Sequence, residues 1–483
     1  MSVVSAPSKH KSKPAALARP RRFHQATRQE RRSKVEPPPL KLDQQVLRQL
    51  LPTERLQQLA LRWQAADERQ RKLTCTVFFW LAVLAFGPGG PISLSKIISY
   101  ALVANLLAGV SLAQATLSKE AVSENLRERP WRFFQAVLQY LLSAHAALWD
   151  ELAGRPNLQM VQSLQVLLID ATVMRVANAL LDVFPASRNG KTEQWAGLKL
   201  HTACHLFRRV PEVLALSPQK KNERKIDFLR ASGEAVLYIF DLGYWTYQLF
   251  DTIIDQQQHF ISRLRMDCNP LVLAVYVGDP SWIGKRLKSI QLTGQAIDLL
   301  LNLSSANLQN PQMRHDLRLV GCWNRKAKRW HLYVTSLLDW QHYALTLIID
   351  LYRLRWQVEI LFRDLKHVLQ IANFIARTEN GVRLQIFAAL IHYVLTHLIM
   401  LKAAHDTGRD LDDFSMPYCL EAVQQVLQQS GALVLKGQPP DWTALEALLV
   451  AAVIARGLRP NRKRKPLISR VKQRLRRTRP LPA

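Results

Sequence analysis

The segment Ser163–Val173, "SLQVLLIDATV", is the stretch from which the fold of the chain can be predicted. Its short apolar core is typical of a buried strand, and the run ends in an acid, Asp170. Four similar runs follow, separated by turn or polar residues: "GLKLHTACHLF", "RVPEVLALSP", "EAVLYIFDLGYW" and "QHFISRLRM". Helical patterns lie between the third and fourth runs ("NERKIDFLRAS") and between the fourth and fifth ("YQLFDTIID"). Five strands mixed with helices in this order predict an α/β fold with a mixed sheet.

The regions around this core have different patterns. Residues 267–339 hold further strand-like runs, "LVLAVYVG", "IQLTG", "DLRLVGCWN" and "RWHLYVTSL", with "NRKAKR" as a basic hairpin turn. Apolar residues before residue 160 and after residue 402 instead recur at helical spacing, as in "PWRFFQAVLQYLLSAHAALWDEL". The predicted organisation is a disordered basic arm (1–41), a helical N-terminal domain (42–160), a core (161–266 and 340–402) that contains a β-rich insertion (267–339), a C-terminal helical segment (403–456) and a basic tail (457–483).

The charge of the chain indicates a polyanionic partner. The formal net charge is +29 over 483 residues. Residues 1–41 hold 11 Lys and Arg against two acids, and residues 456–483 hold 12 with none, so the two ends supply +21 of the +29. Basic tails can also serve solubility alone, but the region between them is basic too, which favours contact with nucleic acid phosphates.

Export and membrane insertion are not expected. The five cysteines are scattered without CxxC spacing, which predicts neither a disulfide framework nor a zinc site and suits a reducing, cytoplasmic environment. The first residues lack the apolar stretch of a signal peptide. The apolar run in Thr74–Pro91 is too short to span a bilayer, and the one in Gln385–Ala404 contains two histidines, which favours a buried helix.

Two aspartates are predicted to end apolar strands: Asp170 in "LLIDAT" and Asp241 in "YIFDLGYW". An acid beside buried neighbours is costly unless it is hydrogen-bonded or bound to a metal ion. Carboxylates on neighbouring strands supply the oxygen ligands that Mg²⁺ and Mn²⁺ prefer. For either aspartate taken alone, a cap or turn role is the simpler interpretation.

A third acid lies on a predicted helix, "YRLRWQVEILFRDLK". At about 100° per residue, Tyr352, Arg355, Glu359 and Lys366 fall on one narrow arc beside an apolar face. Ordinary charge pairing along a solvated helix explains this edge as well as a functional role does.

The three acids taken together favour the functional interpretation. Asp170, Asp241 and Glu359 are enough to hold two metal ions ~3.5–4 Å apart, an arrangement that supports in-line attack on phosphorus by a water or a 3′-hydroxyl. The sequence motifs of phosphate loops, dinucleotide sites, zinc proteases and serine hydrolases are absent from the chain.

The spacing Tyr-x2-Arg-x3-Glu-x6-Lys, found at Tyr352, Arg355, Glu359 and Lys366, resembles the YREK signature of the DDE transposases of bacterial insertion sequences. The segments "LLIDATVMR", "GLKLH", "DLGYW" and "FISRLR" also resemble this family, and the resemblance covers roughly residues 163–402. The chain departs from the family at Leu242, where an arginine often follows the second aspartate.

The resemblance implies an RNase H-like core in which Asp170, Asp241 and Glu359 bind two Mg²⁺ ions, for which Mn²⁺ can substitute. It implies an enzyme that cleaves and joins DNA, with the helical N-terminal domain recognising the terminal inverted repeats of its own element. The implied partners are these double-stranded repeats, the target DNA and a second copy of the chain in a synaptic homodimer. The implied location is the cytoplasm, on the nucleoid.

The resemblance also implies roles for other residues. Arg355 and Lys366 would contact phosphates at the transposon end, and Tyr352 would support that contact or the geometry of the site. Arg363, which belongs to the same group of charges on the helix, is also predicted to contact DNA. Some members of the family hold a flipped base with a tryptophan of the β-rich insertion, for which Trp330 is the nearest candidate.

Two other functions remain open at this point. One is a transposase-derived DNA-binding protein or repressor without catalysis, against which the intact acids argue. The other is an RNase H-like nuclease without strand transfer, against which the helical N-terminal domain argues.

Overall fold

The computed structural model of the protein describes residues 49–67, 73–86, 91–110, 117–153, 164–186, 195–303, 313–439 and 441–460. The predicted basic arm lies outside the described residues, and so does the basic tail from residue 461 onward. Every candidate site residue falls inside them.

The described residues contain one mixed sheet of nine strands. The strands are β1 (Gln165–Arg175), β2 (Gly197–His205), β3 (Pro211–Pro218), β4 (Val236–Phe240), β5 (His259–Arg263), β6 (Leu271–Val277), β7 (Ala296–Asn302), β8 (Leu317–Asn324) and β9 (Arg329–Thr335). Their order is β3-β2-β1-β4-β5-β9-β8-β7-β6. The β1–β4 and β4–β5 pairs are parallel, and the other pairs are antiparallel. This mixed sheet, flanked by helices, confirms the predicted α/β fold class.

Two predicted elements are wrong. "IQLTG" is not a strand, because Gly294 adopts the left-handed conformation (φ +82°) and turns the chain before β7 begins. The predicted helix "NERKIDFLRAS" is only a single 3₁₀ turn at Glu223–Lys225, after which Ile226 is extended. The backbone N–H of Arg230 then donates to the hydroxyl of Tyr238 at 2.7 Å instead of to a helical carbonyl.

Helices form most of the remaining regular structure in the described ranges. Polar caps start several of them: Thr74, Ser93 and Thr378 each accept a hydrogen bond from the backbone N–H three residues later. The helices are α1 (Thr53–Arg62), α2 (Cys75–Leu84), α3 (Leu94–Ser99), α4 (Ala101–Ala108), α5 (Lys119–Glu128), α6 (Trp131–Ser143), α7 (Ala146–Ala153), α8 (Tyr247–Asp255), α9 (Leu345–Leu354), α10 (Trp356–Arg363), α11 (Glu379–Asp406), α12 (Met416–Leu435) and α13 (Trp442–Arg456). The division of the chain into domains stays a prediction.

The sheet has an apolar core on each face, because side chains alternate along its strands. In β1, Val166 and Leu168 pack with the N-terminal helices and with α9 to α13, whereas Leu167 and Ile169 pack with α8 and the strands of the insertion. Helix α11 is long and apolar enough to cross a membrane by length and composition alone, but 94% of its most apolar 18-residue window is buried within the fold. This burial supports the prediction that α11 is a core helix.

The predicted single helix from Tyr352 to Lys366 is interrupted twice. The N–H of Arg355 bonds to the carbonyl of Tyr352, and the carbonyl of Arg355 bonds to the N–H of Val358, so the turn between α9 and α10 is tighter than an α-helical one. After α10, Asp364–Val368 form a π-helical turn, a feature frequent at functional sites. Apolar periodicity does not distinguish these turns from a regular helix.

Candidate active site

Asp170 and Asp241 lie side by side on adjacent strands. The parallel register of β1 and β4 ends with the pair Ile169 and Phe240, and each aspartate is the next residue in its chain segment. Asp241 directly follows β4, as predicted. Asp170, in contrast, lies inside β1, because β1 continues beyond it in antiparallel pairing with β2. The prediction that both acids end strands is therefore wrong for Asp170, although both reach the same edge of the β1–β4 pair.

The backbone orients one oxygen of each aspartate. The N–H of Ala171 donates to Oδ1 of Asp170, and the N–H of Leu242 donates to Oδ1 of Asp241, both at 2.8 Å. Leu242 therefore holds Asp241 through its backbone N–H. This hydrogen bond does not depend on which side chain stands at position 242, so the leucine leaves it intact.

Helices α9 and α10 bring the third acid to the same place. Nη1 of Arg355 donates to Oδ2 of Asp170 at 2.8 Å, and Nη2 of Arg355 donates to Oε1 of Glu359 at 2.5 Å. The hydroxyl of Tyr352 donates to Oδ1 of Asp241 at 3.5 Å, which is a long bond. Two side chains of this helical segment thus contact all three predicted acids, because Arg355 joins Asp170 to Glu359 and Tyr352 reaches Asp241.

Burial perturbs the acid–base behaviour of the site. Desolvation raises the pKa of Asp170 to about 6, and the carboxylates of Glu359 and Asp241 add to this, while Arg355 and the backbone bond oppose it. Burial and the nearby Asp241 also raise the pKa of Tyr352, so its hydroxyl stays protonated and acts as a donor. Burial lowers the pKa of Arg355, but the surrounding carboxylates outweigh it and raise this pKa overall.

The two other predicted DNA contacts lie further along the same segment. The side chain of Arg363 is 57% exposed and pairs with Asp364 at 2.9 Å. Lys366 lies in the π-helical turn, is half-buried, and makes no hydrogen bond or ion pair within the described part of the chain. Burial lowers the pKa of Lys366, since nothing there compensates its charge.

The donor set of the site suits a divalent ion, but the arrangement of its side chains is not that of a metal site. Three carboxylates are the ligands that Mg²⁺ and Mn²⁺ prefer. Among the described residues, however, no three His, Cys, Asp or Glu side chains lie close enough together to bind a metal ion as they stand. The guanidinium of Arg355 lies between Asp170 and Glu359 and supplies the positive charge there.

Sequence reasoning missed a polar cluster next to the acids. Nζ of Lys199 on β2 pairs with Oε1 of Glu223 at 3.0 Å. A Cβ atom at position 243 would contact the carboxylate of Glu223, whose side chain would then have to shift. Burial, followed by the charges of Glu223 and Asp170, raises the pKa of Tyr244. The lysine of "GLKLH" is a signal for this cluster in the sequence, but the helical pattern around "NERK" does not point to a role for Glu223.

Trp330 pairs across the sheet with Trp323 at the basic hairpin. The ring centroids are 5.8 Å apart, and Trp323 is 37% exposed. The hairpin turn predicted at "NRKAKR" separates β8 from β9, and its charged residues are exposed. A base-holding role for Trp330 stays a prediction.

The segment that carries the three acids matches known proteins. Residues 162–395 match the family model described as a transposase DDE domain. A putative transposase of Sinorhizobium fredii is 26% identical over 215 residues, which are 44% of this chain and 55% of the relative. The transposase for an insertion sequence element of Bacillus thuringiensis subsp. israelensis is 24% identical over 330 residues, which are 59% of this chain and 66% of the relative. The matches to these two curated relatives thus span between half and two thirds of their lengths.

The chain also aligns with a solved structure. A cryo-EM structure of a piggyBac transposase synaptic complex with hairpin DNA aligns with 86% of this chain and 85% of that chain, at 11% identity and a TM-score of 0.40.

Proposed function

We propose that this chain, in which residues 162–395 form a transposase DDE domain, is the transposase of a bacterial insertion sequence, and that it cleaves and joins DNA at the ends of its own element. The observation that carries the proposal is the convergence of Asp170, Asp241 and Glu359 through Arg355 and Tyr352. The three acids come from three separate segments of the chain, yet they lie at one edge of the parallel β1–β4 pair.

The chemistry proposed is metal-dependent phosphoryl transfer. Asp170, Asp241 and Glu359 would provide carboxylate oxygens to two divalent ions, Mg²⁺ in the cell with Mn²⁺ as a substitute. Bound there, such ions activate a water or a 3′-hydroxyl and stabilise the leaving 3′-oxygen. The backbone N–H groups of Ala171 and Leu242 fix one oxygen of each aspartate, so these ligands need little reorganisation. The hydroxyl of Tyr352 would orient Asp241 by donating a hydrogen bond to its Oδ1.

The DNA contacts are proposed along the same helical segment. Lys366 has an uncompensated positive charge, which a phosphate oxygen would neutralise. Arg363 is exposed on the preceding helix. Its Nε and Nη2 pair with the buried carboxylate of Asp364, so Nη1 is the group that would reach the DNA backbone. The +29 net charge adds affinity that does not depend on sequence.

The proposed partners follow from this chemistry. They are the double-stranded terminal inverted repeats and the target DNA. A homodimer would bring two ends together, with the region 42–160 recognising them. The proposed location is the cytoplasm, in association with the nucleoid, because the DNA substrate is there.

A second candidate is a DNA-binding protein without catalysis. It is favoured by one observation, which is that Arg355 holds Asp170 and Glu359, so that the three acids are not grouped as a metal site among the described residues. The two functions predict different outcomes with the same DNA.

The test uses the purified protein and a linear DNA carrying the inverted repeats that bracket the gene, with scrambled repeats as the control. A transposase nicks the DNA at the repeat ends with Mg²⁺ and not with EDTA. Specific binding without any nicking would instead support the second candidate. Equal cleavage of the scrambled DNA would indicate a nuclease without specificity for the repeats.

A further inference from the structure

Arg355 takes the electrostatic place of a cation at the candidate site. Its two terminal nitrogens donate to Oδ2 of Asp170 and to Oε1 of Glu359, and its side chain is 14% exposed. Both nitrogens are therefore already engaged with carboxylates and face away from bulk solvent. The contact with a DNA phosphate that the sequence resemblance implies for Arg355 requires this side chain to move.

The same guanidinium competes directly with a divalent ion. Asp170 already gives its Oδ1 to the backbone N–H of Ala171, so Oδ2 is the oxygen that remains for a cation. A metal ion bound by Asp170 and Glu359 would lie within a few ångströms of the guanidinium charge, where repulsion in a partly buried site is strong. Occupation of Oδ2 of Asp170 and Oε1 of Glu359 by the guanidinium therefore opposes the binding of a metal ion at these two oxygens.

We propose, on the basis of the proposed function, that Arg355 is a built-in substitute for the metal ion. In the metal-free protein it neutralises Asp170 and Glu359, which would otherwise repel each other. When a divalent ion binds, Arg355 leaves the two carboxylates, and its planar fork becomes available to a phosphate at the same edge of the fold. Metal affinity is then set partly by the displacement of Arg355.

The first test measures Mn²⁺ binding to the full chain without DNA, by the electron paramagnetic resonance signal of free Mn²⁺. Arg355→Gln removes the competitor and is expected to bind Mn²⁺ on the order of tenfold more tightly than the wild type. Arg325→Gln is the matched control, since Arg325 is exposed in the turn between β8 and β9, and this variant should bind as the wild type does. A similar or lower affinity in Arg355→Gln would overturn the inference.

A second variant tests whether the bridge that Arg355 forms between Asp170 and Glu359, rather than its positive charge alone, opposes Mn²⁺ binding. Arg355→Lys keeps the positive charge and protects the fold, but it lacks the fork that spans two carboxylates. It should bind Mn²⁺ more tightly than the wild type. If only the neutral variant binds more tightly, the effect comes from charge alone and the bridge has no special role.

The movement itself can be observed by chemical modification. Phenylglyoxal labelling mapped by mass spectrometry should modify Arg355 faster when Mn²⁺ is present, because the displaced guanidinium becomes accessible. Arg318, whose side chain is fully buried, serves as the internal reference that should not change. Unchanged labelling of Arg355 in protein that has bound Mn²⁺ would contradict the movement.

The Asp241→Asn variant distinguishes failure of this inference from failure of the proposed function. If Mn²⁺ binding depends on Asp241 but Arg355→Gln binds no more tightly, only the role of Arg355 is wrong. If Asp241→Asn leaves Mn²⁺ binding unchanged in both the wild-type and Arg355→Gln backgrounds, the proposed metal site is wrong, and the inference falls with it.

Discussion

Tyr333 on β9 packs against Tyr352 on α9, with ring centroids 4.6 Å apart and planes inclined by 40°. Tyr333 lies in the predicted β-rich insertion, and the hydroxyl of Tyr352 reaches Asp241 at 3.5 Å. The insertion therefore touches the residue that orients the second acid. Tyr352, whose role the sequence pattern alone did not explain, links the sheet of the insertion to the candidate active site.

This contact predicts different costs for two substitutions of Tyr352. Tyr352→Phe keeps the ring and loses one long hydrogen bond, so the free energy of unfolding should fall by no more than about 1.5 kcal/mol. Tyr352→Ala also loses the buried ring and should cost about 3–5 kcal/mol. Urea denaturation measures both values. Equal losses would mean that the hydroxyl, rather than ring packing, holds α9 in place.

Lys366 is expected to contribute one phosphate contact. Lys366→Ala should weaken binding to DNA of any sequence and reduce the slope of log affinity against log salt concentration by about 1. Binding titrations at several NaCl concentrations measure this slope. Lys436→Ala, which removes an exposed lysine at the end of α12, is the control and should leave it unchanged. An unaltered slope in Lys366→Ala would exclude this lysine from the DNA interface.

A buried ion pair holds the connection between β9 and α9. Arg318 donates to both oxygens of Asp298, at 2.7 and 2.5 Å, and also to the carbonyl oxygens of Leu337 and Tyr343. Arg318→Met leaves the Asp298 carboxylate buried without a partner and should lower the free energy of unfolding by about 3–5 kcal/mol. The double variant Arg318→Met/Asp298→Leu removes both charges and should cost less in the same urea experiment. A double variant at least as unstable as the single one would show that the carbonyl contacts dominate.

The buried histidines predict loss of stability in acid. Burial, aided by the charge of Lys96, lowers the pKa of His392 from 6.5 to about 4, and burial lowers the pKa of His397 to about 4 as well. At a pH between the unfolded pKa of 6.5 and the folded pKa of about 4, these histidines bind protons in the unfolded chain but not in the folded one. The free energy of unfolding should therefore fall as the pH drops from about 6.5 towards 4. His392→Leu removes one such group and should flatten this dependence.

Urea denaturation at several pH values between 7 and 4.5 provides the measurement for the histidines. His405→Gln is the control, because the side chain of His405 is 45% exposed, whereas His392 and His397 are buried. A pH dependence that is the same in His392→Leu and in the wild type would contradict the assignment of His392 as a buried neutral group.

Much of the site could be predicted from sequence because its acids leave local signals. A short apolar run marks β1 with Asp170 and another marks β4 with Asp241, and the helical arc presents Glu359. The later match of residues 162–395 to the transposase DDE family confirms the resemblance that these motifs suggested. The tight turn at Arg355 was not predictable, because it depends on hydrogen bonds that apolar spacing does not encode.

Other features depend on tertiary contacts and therefore left no local signal. The position of Glu223 depends on its ion pair with Lys199, 24 residues earlier, and on the space beside Gly243, which has no side chain. The buried pair of Arg318 and Asp298 joins two neighbouring strands, and either residue alone resembles an ordinary surface charge in the sequence.

The central claim, that Asp170, Asp241 and Glu359 form one metal-dependent active site, is tested most directly by single-turnover nicking of DNA that carries the terminal repeats. Asp170→Asn, Asp241→Asn and Glu359→Gln should each slow Mg²⁺-dependent nicking by about 100-fold or more, since each removes a ligand worth several kcal/mol to the transition state. DNA binding should be retained, and Asp279→Asn, at an exposed turn of the insertion, should cleave like the wild type. Normal nicking by all three active-site variants would contradict the account.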